Sequence, residues 1–138
     1  MDSPKDPIEA VVDRILERGA EVVHVAAPLG LGKPNRLLNA LYARFVADPS
    51  KKLVLATALS LNPPKGKSDL EKRFLGPFSE RQFGASYPRL DYADAAAAGT
   101  LPPNVTIQEF YFASGAMLGA ERAQRDYVSI NYTMVARD

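Results

Sequence analysis

The chain has 138 residues, 46% hydrophobic and 24% charged, which is the balance of one soluble globular domain and excludes a mainly disordered chain. It has no cysteine, which excludes disulfides and thiolate metal sites, and its net charge of +1 gives no electrostatic reason to expect nucleic acid or an anionic membrane as a partner. No uncharged run is long enough to span a bilayer, and the first residues lack the basic-then-apolar order of a secretion signal, so we expect a cytoplasmic protein.

The first predicted element is a helix that starts at Asp6-Pro7-Ile8-Glu9, with Asp6 as the N-cap and Glu9 as a capping glutamate. Five apolar residues share one face of this helix, so we expect it to bury them against an apolar layer. They are Ile8, Val11, Val12, Ile15 and Leu16. Gly19 is predicted to end the helix, and the β-branched run from Glu21 to Ala26 then predicts a strand buried on both faces.

A glycine-rich turn separates this strand from a second helical pattern, which begins at Pro34 and stops at Asp48-Pro49. Its apolar side consists of Leu37, Leu38, Leu41, Tyr42 and Phe45. The run from Lys52 to Ala58 predicts the next strand. A strand, a helix and a strand at this spacing form a βαβ unit, whose two strands are parallel.

The middle of the chain predicts two further helices. A polar loop from Asn62 to Lys67 precedes a capping box formed by Ser68 and Glu71, and Gly76-Pro77 is expected to break or kink the helix, which restarts over Phe78 to Phe83. A short alanine-rich helix from Tyr92 to Ala98 follows and ends at Gly99.

The last part of the chain predicts two strands, Val105 to Phe112 and Tyr127 to Thr133, with a helix from Ala116 to Gln124 between them. The expected fold is therefore a small layered α/β domain with a largely parallel sheet.

Ligands of open parallel sheets bind at the loops beyond the carboxyl ends of the strands, which here are residues 27–34, 60–67 and 113–119. The first loop leads into a helix N-terminus, where free amides favour an anion or a carbonyl oxygen. It is not a phosphate-binding loop, because Ala27 and Pro34 stand where glycine and Ser or Thr are needed. It is not a dinucleotide fingerprint either, because Asn35 replaces the third glycine. The alternative is that Gly30 and Gly32 only permit a tight turn.

No catalytic set emerges from the remaining polar residues. His24, the only histidine, lies within an apolar strand, where a hydrogen-bonded structural role is commoner than that of a general base. Ser114 lacks the pattern of an activated serine. Nothing pairs Glu109 with Asp126 at a defined distance. The basic stretch of Lys65, Lys67, Lys72 and Arg73 is typical of a solvated surface, although it could also face a nucleotide phosphate.

Three motifs together carry a resemblance to a known family. They are the segment from Ala26 to Leu41, AAPLGLGKPNRLLNAL, the segment SGAMLG from Ser114 to Gly119, and Asn131-Tyr132-Thr133. From about His24 to Asp138 the chain resembles the N-terminal part of the acetyl-CoA hydrolase/transferase family of CoA-transferases. The first motif is the specific one.

The resemblance implies a CoA-transferase-like protein of two α/β domains, with acyl-CoA and a small carboxylate bound between them. Its nucleophile is a glutamate of the C-terminal domain, which forms a glutamyl-CoA intermediate. Residues 1–138 would then be an N-terminal domain that is inactive alone, with no catalytic residue, no covalently bound cofactor and a CoA thioester as substrate. Neither Glu109 nor Glu121 matches the nucleophile.

The resemblance implies that the cleft is lined by Gly30, Gly32 and the amides of Lys33 and Asn35. The implied partners are acyl-CoA, a carboxylate and the C-terminal domain. Lys33 could hold a phosphate or carboxylate or point into water, and a homodimer stays open. Two other readings also stay open. One is a non-catalytic module that binds a CoA ester or a small anion, and the other is a structural or assembly domain.

Overall fold

The computed structural model describes residues 6–18, 21–109 and 127–130. The described helices and strands, in chain order, are α1 (Pro7–Leu16), β1 (Val22–Ala26), α2 (Asn35–Ala47), β2 (Lys52–Thr57), α3 (Asp69–Phe83), α4 (Asp91–Ala98), β3 (Val105–Glu109) and β4 (Tyr127–Ser129). A single 3₁₀ turn, Gly30–Gly32, lies between β1 and α2.

The described strands form one parallel sheet in the order β3-β2-β1-β4. In the central pair, Val23 lies beside Leu53 and Val25 beside Leu55. The predicted βαβ unit and the largely parallel α/β sheet are therefore confirmed. Because all four strands run the same way, the carboxyl ends of β1, β2 and β3 lie at one edge of the sheet, which we call the carboxyl edge.

The main core lies between α1, α2 and the sheet. Val23 and Val25 of β1 are buried, whereas Val22, His24 and Ala26 on the opposite face are only half-buried. The prediction of a strand buried on both faces is thus wrong for β1 within the described structure. The buried residues of the two helices are Val12, Ile15, Leu38, Leu41 and Phe45, together with Asn35.

Helix α1 differs from its prediction in two details. Only Val12 and Ile15 of the five apolar residues are buried, and Val11 is 46% exposed. Asp6 caps the helix by accepting a hydrogen bond from the amide of Ile8, as predicted. Glu9 instead forms an ion pair with Arg44 of α2, at 3.2 Å.

Helix α3 is continuous through Pro77, so of the two predicted outcomes, a break or a kink, the break is wrong. Proline removes one intrahelical hydrogen bond, but α3 has no buried residue, and the freed carbonyl of Arg73 can be hydrated. The capping box of Ser68 and Glu71 is confirmed. The helix presents Leu70, Phe74 and Phe78 to the surface.

The predicted end of helix α4 is confirmed, whereas several of the later predictions lie outside the described residues. Helix α4 ends at Gly99 in the left-handed conformation, with φ of 68°, as its sequence indicates. Strand β3 is described to Glu109 and β4 to Ser129. Gly19, the predicted helix 116–124, residues 110–112 and Asn131-Tyr132-Thr133 lie outside the described residues.

Candidate functional site

The turn after β1 is closed by backbone hydrogen bonds around Gly30. Gly30 has a positive φ of 59°, a conformation that costs a residue with a side chain about 1 kcal/mol or more. Its carbonyl accepts from the amide of Lys33 at 3.3 Å, and its own amide donates to the carbonyl of Ala58 at 3.4 Å. The turn is thereby joined to the end of β2.

The side chain of Lys33 links two loops of the carboxyl edge by hydrogen bonds. Its side chain is buried, and its ammonium group donates to the carbonyl of Ala58 and, at 3.2 Å, to that of Leu59. Burial lowers the pKa of Lys33 to about 8, and the negative charge of Glu109 opposes part of this shift. The ammonium thus contacts backbone carbonyls and does not point into water.

The free amides at the start of α2 are not those that the sequence indicated. The amide of Lys33 is used inside the turn, and the amide of Asn35 donates to the carbonyl of Lys33 at 2.9 Å. Pro34 occupies the N-cap position and supplies no side-chain cap. Among the described residues, no acceptor faces the amides of Arg36 and Leu37. These two groups and the helix dipole make this end of α2 attractive to an anion.

Two asparagines of α2 hold the segment before α4. The side-chain amide of Asn35 donates to the carbonyl of Pro88 at 2.7 Å, and that of Asn39 donates to the carbonyl of Arg89 at 2.6 Å. The amide oxygen of Asn39 accepts from the backbone of Asp91 at 3.0 Å. The buried side chain of Asn35 is therefore already engaged in the fold.

The loop after β2 meets the end of β3 through Ser60. The backbone amide of Ser60 donates to Oε1 of Glu109 at 3.0 Å, and its hydroxyl lies 2.7 Å from the hydroxyl of Tyr92. Tyr92 is almost fully buried, and this burial raises its pKa to about 12. One carboxylate and two hydroxyls thus lie close together, near the ammonium group of Lys33.

Replacing Tyr92 with phenylalanine should lower the free energy of unfolding by about 1 kcal/mol, because the hydroxyl bond to Ser60 is lost while the ring stays packed. Chemical denaturation measures this change. Tyr42→Phe is the matched control, since the half-buried Tyr42 has no comparable hydroxyl partner among the described residues. An equal loss in both variants would contradict the importance of the Ser60 contact.

The side chain of Arg89 joins the loop after β2 to α4. The guanidinium of Arg89 binds both carboxylate oxygens of Asp94, at 2.8 and 2.7 Å, and also donates to the carbonyl of Pro63 at 2.6 Å. The hydrogen bond from Arg89 lowers the pKa of Asp94 to about 2. The side chain of Asn62 adds a two-way bond with the backbone of Leu90.

Asp94→Asn should make unfolding less sensitive to acid. The pKa of Asp94 is about 2 in the folded protein and 3.8 ordinarily, so its stabilising contribution is present above pH 3.8 and declines as the pH falls toward 2. The difference in stability between wild type and variant should therefore shrink over that range. Denaturation at a series of pH values tests this, and a constant difference would count against the ion pair.

The structure brings together two of the three loops that the sequence singled out. Gly30, Gly32 and Lys33 lie in one turn beside residues 58–62, and Asn35 begins the helix that follows. The third loop, with Ser114, lies outside the described residues. Sequence reasoning missed Ser60, Tyr92 and Glu109 as a cluster. The available signal was weak: Ser60 follows β2 and Glu109 ends β3, two positions that a parallel sheet places at the same edge.

The structure also places two other candidates from the sequence, His24 and the basic stretch. His24 is half-buried in β1, where its register partners are Val54 and Tyr127. In the basic stretch, Lys72 pairs with Asp69 at 3.4 Å on the exposed surface of α3. The stretch therefore agrees better with a solvated surface than with a phosphate site.

Metal and membrane features are not found in the part of the chain that the structure describes. There, no group of three or more acidic or histidine side chains could hold a metal ion, and no helix combines the length and hydrophobicity needed to cross a bilayer.

Comparisons with protein-family models, with curated proteins and with solved structures gave no match. The fold and the site define a small α/β domain with an open parallel sheet and polar groups converging at its carboxyl edge.

Proposed function

We propose that the chain is the N-terminal domain of an acyl-CoA hydrolase or CoA-transferase. The enzyme would move CoA between an acyl-CoA thioester and a carboxylate or water, through a glutamyl-CoA intermediate formed on another domain. The observation that carries this proposal is the motif from Ala26 to Leu41, which resembles the acetyl-CoA hydrolase/transferase family and runs from the end of β1 into α2.

The surroundings of the motif support the binding of an anionic ligand. The amides of Arg36 and Leu37 have no acceptor among the described residues, and the exposed side chain of Arg36 adds a positive charge beside them. CoA carries phosphate groups, which bind well to a helix N-terminus with a nearby arginine. The role of this domain is then to hold CoA at the carboxyl edge.

The chemistry would take place on the partner domain. A glutamate carboxylate there attacks the thioester carbonyl, the CoA thiolate leaves, and an acyl-glutamyl anhydride forms. The thiolate then attacks the glutamyl carbonyl and releases the acyl carboxylate, which leaves a glutamyl-CoA thioester. A second carboxylate or water completes transfer or hydrolysis. Glu109 is not assigned this role, since it accepts a hydrogen bond from Ser60 and does not match the family's nucleophile.

Calorimetric titration with acetyl-CoA tests the binding role. Arg36→Glu should weaken binding by about tenfold or more, because it places a negative charge beside the free amides of α2. Lys52→Glu is the matched control, since Lys52 is exposed at the start of β2, on the opposite edge of the sheet. Equal affinities for the two variants would contradict binding at this turn.

A trapping experiment on the protein that contains the second domain tests the division of labour. Incubation with acyl-CoA and borohydride should modify a glutamate outside residues 1–138. Modification within these residues would overturn the proposal. If the reading frame encodes no second α/β domain, a non-catalytic module that binds CoA esters becomes the better description.

A further inference from the structure

A cavity of about 300 Å³ lies between α4 and the edge strand β3, beside the Ser60 cluster. One wall is apolar and includes Ala96, Leu101 and Ile107. The other end is polar and consists of Ser60, Tyr92 and Glu109. This volume is at the lower end of the range for small-molecule sites, roughly 300–1,000 Å³, so the cavity suits a small ligand with an apolar body and one polar end.

The polar end of the cavity offers more acceptors than donors. Oε1 of Glu109 accepts from the backbone of Ser60, and Oε2 has no hydrogen-bond partner among the described residues. The hydroxyls of Ser60 and Tyr92 share one hydrogen bond, so each oxygen keeps lone pairs that can accept. A ligand group with several N–H donors matches this end.

The charge at the cavity favours a cation over an anion. Glu109 is exposed and brings a carboxylate to the polar end. The nearby ammonium of Lys33 is held by the carbonyls of Ala58 and Leu59, and Lys33 does not line the cavity. A carboxylate or phosphate ligand would be repelled by Glu109.

We propose that this cavity is a binding site for a small primary alkylammonium ion. The ammonium group, with three N–H donors, binds Oε2 of Glu109 and the hydroxyl pair, and the alkyl chain lies along the wall of Leu101 and Ile107. The site is separate from the proposed CoA site at the start of α2. It does not depend on the acyl-CoA proposal, because none of its lining residues belongs to the segment from Ala26 to Leu41 that carries that proposal.

The test compares pentylammonium with pentanoate, which has the same chain length and the opposite charge, by titration monitored with NMR. Pentylammonium should bind about tenfold or more tightly than pentanoate. Glu109→Gln should abolish this preference, whereas Glu80→Gln, which removes an exposed carboxylate on α3, should leave it unchanged. Equal binding of the two probes to wild type, or an unchanged preference in Glu109→Gln, would overturn the proposal.

A second variant separates loss of the cavity from loss of the fold. Ala96→Leu adds apolar volume at the cavity wall from an exposed position of α4, so the helix should stay folded. It should weaken pentylammonium binding by about tenfold, while acetyl-CoA binding stays as in wild type. Unchanged pentylammonium binding would contradict the site. Loss of acetyl-CoA binding in Arg36→Glu concerns the proposed function alone.

Discussion

Lys33→Met is expected to lower the free energy of unfolding by about 2 kcal/mol at neutral pH. Methionine keeps much of the apolar stem of the lysine, but the carbonyls of Ala58 and Leu59 lose a charged donor in a buried place. The carbonyl of Ala58 keeps the amide of Gly30 as a donor, whereas the carbonyl of Leu59 has no other donor among the described residues. An unsatisfied carbonyl costs about 1–3 kcal/mol, and release of the buried ammonium offsets part of this cost. Urea denaturation measures the change. Lys52→Met, at an exposed position, is the control and should change stability by less than about 0.5 kcal/mol.

The stability difference between wild type and Lys33→Met should grow with pH. Because burial lowers the pKa of Lys33 from 10.5 to about 8, the unfolded chain binds more protons than the folded protein between these values. The stability of wild type relative to the variant therefore rises from pH 8 to pH 10.5. Tyr92, whose raised pKa of about 12 reduces stability above pH 10, is present in both proteins and cancels in the difference. A difference that falls over this range would contradict the buried environment of Lys33.

Asn104→Leu should lower the free energy of unfolding by about 2 kcal/mol, because leucine branches at the same carbon but is larger and cannot donate a hydrogen bond. The buried amide of Asn104 donates to the carbonyls of Phe45, at 2.8 Å, and Lys51, at 2.9 Å. It thereby ties the end of α2 and the start of β2 to the start of β3. Leucine leaves both carbonyls without this donor.

Thermal or chemical unfolding of Asn104→Leu should be compared with that of Thr106→Val. Thr106 is exposed in β3, two residues after Asn104, so its substitution should change stability by less than about 0.5 kcal/mol. Similar stabilities for the two variants would show that the Asn104 contacts contribute little.

The layered fold was predictable because it rests on local patterns. The periodic apolar positions of α2 and the β-branched run of β2 define the βαβ unit without knowledge of distant contacts. The cap residues Asp6 and Ser68 also act within a few positions of themselves. Pro77 misled the prediction, because whether proline breaks a helix depends on whether the freed carbonyl can reach water, which is a tertiary property.

The candidate site was harder to predict because its contacts join distant parts of the chain. Lys33 binds carbonyls 25 and 26 residues away, and Ser60 meets Glu109 across 49 residues. A sequence does not show which backbone carbonyls a side chain will contact. From the sequence, a lysine in a glycine-rich turn could therefore equally have pointed into water. The sequence also could not show that the turn uses the amides of Lys33 and Asn35 for its own closure.

The central claim is that this domain binds CoA esters and leaves bond breaking to another domain. Its most direct test is a time course of the acetyl methyl NMR signal of acetyl-CoA mixed with the 138-residue chain. We expect a broadened or shifted signal whose intensity stays constant, because the ester is bound and not cleaved. Conversion to free acetate at about 1 per second or faster, or a signal that the protein leaves unaltered, would contradict it.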